Sequence, residues 1–295
     1  MFPKITPQFE AYIAPARTHP QLWRLAAGLM LVTGIYLAFT IFVAGYAARL
    51  GGSLDRAFTP DGGPLATSAV LFTFAGMGIG VIVAARLLHN RNAQTLFGPD
   101  PAATRWYFNA GASIALAVAT AATMVGMVFY TPEPNLPFVT WLIWLPSSLV
   151  LILIQSGSEE LLFRGYLMQQ LAARFRSPWF WWVLPSALFA MLHYDPAAQG
   201  PNAPLFVLDI FIFALLAGDL TARTGNIGAA IGLHFVNNAM AFLFIALKGE
   251  LTGLALHLTP FAADDWDDMR TGVIADIVML LVIYAVYRRL MRRAE

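Results

Sequence analysis

No cysteine occurs in the 295 residues. Disulfides, zinc–thiolate centres and cysteine nucleophiles are thereby excluded. Charge is also scarce. Asp, Glu, Lys and Arg make up 12% of the chain, against about 25% in an ordinary soluble domain. The net charge of +1 offers no hold on a polyanion, so nucleic acid is not expected as a partner. No low-complexity segment or clear internal repeat appears, and no HExxH helix is present. Residues 1–21 hold Pro3, Pro7, Pro15 and Pro20 and no apolar core, so no cleavable signal peptide is expected there.

Apolar sequence fills the remainder. Hydrophobic residues make up 58% of the chain, and the mean hydropathy is +0.64. A transmembrane helix needs about 20 apolar residues, and eight runs qualify: 22–46, 67–88, 108–129, 138–157, 178–193, 205–222, 227–247 and 271–287. The expected fold is therefore all-α, a polytopic membrane bundle of about eight transmembrane helices. Residues 1–21 are read as a cytoplasmic N-terminal segment and 22–295 as a single bundle. Turn formers such as Gly51-Gly52, Asp61-Gly62-Gly63-Pro64, Gly98-Pro99-Asp100-Pro101 and Pro132-Glu133-Pro134 separate the runs. Trp23, Trp106 and Trp179 stand at run ends, as in an interfacial belt.

Lysine and arginine fix the expected orientation, because cytoplasmic loops carry the excess. With the N-terminus inside, only Arg49, Arg56, Lys248 and Arg270 of the 18 cations fall outside. Both termini are thus expected in the cytoplasm of a multi-pass membrane protein, in the plasma (inner) membrane if the source is bacterial. The acidic run Asp264, Asp265, Asp267 and Asp268 falls outside and reads as a solvated loop. It lacks the spacing and glycine turn of a calcium loop.

Three polar constellations interrupt the apolar runs. The first is Ser158-Glu159-Glu160-Leu161-Leu162-Phe163-Arg164-Gly165. An ion at the centre of a membrane helix costs roughly 2.5–3.5 kcal/mol on insertion scales, so such residues are functional candidates. Positions four apart share a helix face, so Glu160 and Arg164 can pair. Glu159 is turned about 100° away and is left free for chemistry. The alternative is a stabilising ion pair at a membrane surface. The second constellation is Phe189 to His193, whose histidine could be merely interfacial. The third is His234 and Asn238, one turn apart, which could equally be helix–helix glue.

Spacing connects the three. Glu159 and His193 are equally distant in sequence from Arg176, the middle of a basic turn. An antiparallel hairpin would place them at one level. For His234 to join them, the hairpin tip, with Gln169, Gln170, Arg174 and Arg176, must protrude into the cytoplasm. The chamber so formed should open toward the cytoplasm. A carboxylate, two histidines and an asparagine suit hydrolysis, with the carboxylate as base and the amide and imidazole as oxyanion donors. Glu159, His193 and His234 are also ligand types that could hold zinc.

In order along the chain, Glu159-Glu160-xxx-Arg164, Phe189-xxx-His193 and His234-xxx-Asn238 resemble the three motifs of the CPBP family. That family contains the type II CAAX prenyl endopeptidases and the bacteriocin-processing or self-immunity proteins. The similar region runs over about 141–247. Gly218 and Thr224-Gly225-Asn226 resemble the stretch before the family's last histidine. The resemblance implies an intramembrane endopeptidase with a chamber open to the cytosol. It implies Glu159 as the base that activates water, His193 assisting, His234 and Asn238 as the oxyanion pair, and Glu160 and Arg164 in support. It favours a glutamate mechanism without cofactor over a zinc enzyme. The partners implied are the lipid bilayer and a peptide or protein substrate, prenylated or not. Two other classes compete: a non-catalytic scaffold or immunity protein, and a transporter. The complete motif set disfavours the scaffold, and the transporter reading lacks paired broken helices.

Overall fold

The computed structural model describes residues 3, 5–51, 53–58 and 62–291, with the backbone alone at 57 and 58. Lys4, Arg292 and Arg293 of the charge count, and Gly52 and Asp61 of the turn formers, lie outside the described residues. The helices are α1 (Pro7–Ile13), α2 (Leu22–Arg49), α3 (Gly63–His89), α4 (Gln94–Phe97), α5 (Pro101–Gly126), α6 (Phe138–Glu160), α7 (Gln169–Arg174), α8 (Leu184–Met191), α9 (Pro196–Gln199), α10 (Ala203–Thr224), α11 (Gly228–Ala239) and α12 (Trp266–Met291). The chain is a helical membrane bundle. Among the described residues, six helices are long and apolar enough to cross a bilayer: α2, α3, α5, the continuous rod Phe138–Arg174, the rod Pro196–Thr224 and α12. Of the most apolar stretches of α2 and α5, only 17% is buried by protein. What remains needs lipid to cover it.

The fifth and seventh expected spans are shorter, Trp179–Met191 and Gly228–Phe244. At 1.5 Å per residue they reach about 20 and 25 Å, less than the roughly 30 Å of a hydrocarbon core. The count of eight full spans thus becomes six full helices and two short ones. The seventh stops early because the chain leaves the helix at Ile245 and enters a strand. That strand, β2 (Ile245–Lys248), runs parallel to β3 (His257–Ala262), which pairs antiparallel with β1 (Glu133–Pro134). Ile245 lies beside His257, and Glu133 beside Leu258. This small sheet was not expected of an all-α chain. Its strands are too short to register as a period-2 pattern.

The bundle has two unlike ends. The sheet, α9 and the start of α12 form one. Asp267 and Asp268 stand in the first turn of α12, where the helix dipole favours acids. The acidic run is therefore a helix start, and Asp265 Oδ2 accepts the Ala262 amide at 2.7 Å. The other end carries α1, the Phe175–Ser177 turn and the last turn of α12 with Arg288 and Arg289. Arg164, counted above with the inside loops, is instead buried in mid-rod.

The N-terminal segment is folded onto this basic end. Thr6 caps α1 and Pro7 opens it. Phe9, Tyr12 and Ile13 are fully buried, with Phe9 against Trp181 at 4.9 Å. Tyr12 donates to the carbonyls of Leu96 (2.8 Å) and Arg164 (3.2 Å). Burial raises the Tyr12 phenol and pushes the Arg91 guanidinium down to about 10. Arg91 in turn donates to Gln169. Gln169 and Gln170 are buried, so they are not a protruding polar tip; of the four expected tip residues only Arg174 and Arg176 are exposed.

The turn at 224–226 has a clear purpose. Gly225 takes the left-handed conformation (φ 66°) that ends α10. Asn226 Oδ1 accepts the Gly228 amide at 2.9 Å and starts α11. Helix α11 then runs parallel to α5 at very short range. A Cβ on Gly228 would strike the Thr104 carbonyl, and one on Gly232 the Phe108 carbonyl. This small-xxx-small contact lets two backbones touch, and it sets the depth of the residues that follow on α11.

Candidate active site

Helices α6 and α11 cross the centre antiparallel, and their polar residues pair as rungs. Asn238 Nδ2 donates to Gln155 Oε1 at 2.8 Å. One turn along, His234 Nε2 lies 3.4 Å from Glu159 Oε2. The other ring nitrogen, Nδ1, is 2.8 Å from Glu160 Oε1. Arg164 meets that same oxygen at 2.8 Å and also donates to the Ala214 carbonyl at 3.1 Å. The expected Glu160–Arg164 pair is present, and Glu159 is left facing an imidazole.

Proton accounting follows from these contacts. Glu160 is ion-paired and acts as an acceptor, so His234 Nδ1 carries the hydrogen between them. Nε2 faces Glu159 Oε2 at 3.4 Å, an oxygen that has no hydrogen-bond partner. Two carboxylates and one guanidinium thus surround a single imidazole in a buried setting.

Aromatic rings wall the cluster off. The Arg164 guanidinium lies over Phe189 (4.9 Å) and Phe213 (5.9 Å). The His234 ring sits edge-on to Phe213 at 5.0 Å and to Phe189 at 6.0 Å. Phe189 also contacts His193 at 4.9 Å, so it stands beside both histidines. His193 lies just past α8. Its Nδ1 donates to the Phe189 carbonyl at 2.9 Å, which leaves Nε2 as the nitrogen able to take a proton.

Two of the constellations adjoin a π-helical turn, Leu161–Met168 after Glu160 and Met240–Phe244 after Asn238, and a third such turn, Trp179–Val183, precedes α8. Such turns recur at functional sites because they re-aim side chains and loosen carbonyls. The carbonyl of Arg164, in the first of them, is the one that Tyr12 reaches.

His193, His234 and Asn238 line one cavity of about 600 Å³, together with Gln155 and Asn237, whereas Glu159, expected in the same chamber, is not among its lining residues and reaches it only through His234. Its other walls come from the sheet end: Tyr130, Asp195, Gln199, Ile245, Glu250 and Met269. The path toward the basic end is filled by the buried core of Leu161, Tyr166, Trp181 and the α1 residues. The chamber therefore opens away from Arg174 and Arg176, toward the sheet end. At the mouth, burial raises the Glu250 carboxyl above the usual range; a hydrogen bond from Gln199 opposes this, Asp195 adds to it, and His193 opposes it.

Zinc fits poorly. Glu159 and His234 are close enough to share an ion, but among the described residues no three such side chains gather as a ligand set. Zinc sites use at least three protein ligands. The sequence reading missed Gln155, although a lone glutamine four residues before Glu159 was a legible signal. Phe213 could not be found, because a phenylalanine in an apolar helix carries no mark.

Fold and site thus define an integral, multi-pass helical membrane protein with a buried carboxylate–imidazole centre. Comparison with known proteins agrees with this: residues 139–240 match the type II CAAX prenyl endopeptidase Rce1-like family. That segment contains all seven motif residues, Phe189 included. The chain is also similar to YyaK of Bacillus subtilis (strain 168), a protein described as uncharacterized. Identity is 25% over 261 residues, covering 82% of this chain and 84% of YyaK.

Proposed function

We propose that the chain hydrolyses a peptide bond of a membrane-associated protein or peptide, with water activated by Glu159. The observation carrying this reading is the buried contact of Glu159 with His234, beside a Glu160 already neutralised by Arg164. Glu159 takes a proton from water, and His193 Nε2 assists as second acceptor. The hydroxide adds to the scissile carbonyl. His234 Nε2–H and the second Nδ2–H of Asn238 stabilise the oxyanion. Breakage of the C–N bond returns the proton from Glu159 to the leaving amine. The accounting closes with side chains alone, so no cofactor is invoked.

The basic end, with both termini, faces the cytoplasm, and the short helices α8 and α11 complete eight crossings. The cavity mouth then faces the opposite surface. A substrate drawn from that side suits this geometry better than a cytosolic prenylated tail. The test compares new protein termini in membranes of cells producing the wild-type chain or Glu159→Gln. A set of termini lost in Glu159→Gln at equal protein level supports the reading, and identical termini refute it.

A further inference from the structure

Helices α10 and α12 meet at two polar points, and the two differ in one respect. Near the basic end, Asp219 Oδ2 is 2.5 Å from the Arg223 guanidinium and accepts from Tyr284 Oη at 2.6 Å. Arg288 closes the network by donating to Tyr284 at 2.9 Å. This is ordinary interhelical glue, an acid matched by cations. Nearer the sheet end, Asp209 of α10 faces Asp276 of α12. Among the described residues, no lysine or arginine shares the cavity wall with them.

Two carboxyl groups hydrogen-bond only if one keeps a proton. Asp209 Oδ1 is a buried atom without a hydrogen-bond partner. Both residues line the 600 Å³ cavity, as do Asp195 and Glu250. Gln199, only 6% exposed, lines the same space with Oε1 unpartnered. The wall thus presents several acceptors and lacks the cation that completes the neighbouring Asp219 site. Asp209 is one helical turn, about 6 Å, from Phe213, whose ring touches His234 at 5.0 Å. Anything bound at the acid pair therefore lies close to the Glu159–His234 centre.

We infer that Asp209 and Asp276 form a subsite for a cationic side chain, lysine or arginine, carried by the substrate within a few residues of the cleaved bond. The entering ammonium or guanidinium displaces the proton shared by the two carboxyl groups, which leaves to water in the cavity, and forms charge-assisted hydrogen bonds to both carboxylates. The inference deepens the peptidase reading and rests on it for the word substrate.

Binding and cleavage are measured separately. Full-length Glu159→Gln protein in detergent is incubated with a randomised octapeptide library, and the retained peptides are read by mass spectrometry. Lysine or arginine should be enriched at one position about tenfold over norleucine and glutamate, and the preference should disappear in the added D209N/D276N background. No cationic enrichment, or enrichment that survives D209N/D276N, overturns the inference. Should the double variant fail to fold, Asp276→Asn alone is used, and the comparison of lysine with norleucine on the parent protein still decides. The wild-type chain is then given the retained peptides. Enrichment without cleavage refutes the peptidase reading while the cationic subsite stands.

Discussion

Glu160 and Arg164 show how a membrane core carries charge. Each is buried, and each has a second partner: His234 for the glutamate, and the Ala214 carbonyl for the arginine. Removing one member of a buried pair strands the other, at roughly 3–5 kcal/mol. Arg164→Ala should therefore lower the thermal unfolding temperature in detergent, whereas Glu159→Gln, which keeps shape and loses only a charge, should not. A scan in which Arg164→Ala melts like wild type would reject the supporting role. This pair was legible in the sequence because i,i+4 spacing fixes who meets whom along one helix. The link from His234 to both glutamates was not, since nothing local states which face of α11 turns toward α6.

Element packing supplies that missing orientation. Gly228 and Gly232 let α11 lie against the α5 backbone, and the rest of α11 then has its polar side toward α6. Gly232→Val places two methyl groups where the Phe108 carbonyl stands. Overpacking of this kind costs about 1–3 kcal/mol, and here it also displaces His234. The expected result is a lower unfolding temperature together with lost cleavage, while Gly34→Val, which meets nothing within 4 Å, changes neither. Retained stability and activity in Gly232→Val would mean that α5 does not set the depth of the site. The hairpin about Arg176 was readable from symmetric spacing. The cover over its tip was not, because α1 is short and proline-flanked, and only its buried Phe9, Tyr12 and Ile13 reveal it as part of the fold.

At the scale of the molecule, the cation bias, the folded basic end and the cavity mouth form one argument. Apolar length alone gave eight spans; the structure has six full helices because length in sequence does not say where a helix yields to a strand, as at Ile245. The absence of cysteine makes sidedness directly measurable. Ser177→Cys should react with an impermeant maleimide only from the cytoplasmic face, and Asp267→Cys only from the other. Labelling of both from one face would overturn the orientation and with it the outward mouth. The central claim is that Glu159 drives water onto a peptide bond. Cleavage of a peptide library by the purified chain in ¹⁸O-water tests it most directly. The account predicts a single ¹⁸O atom in the carboxyl group of each newly formed C-terminus after one turnover, and no such product from Glu159→Gln protein of equal thermal stability. Equal labelling by Glu159→Gln, or no labelled terminus from either protein, would contradict it.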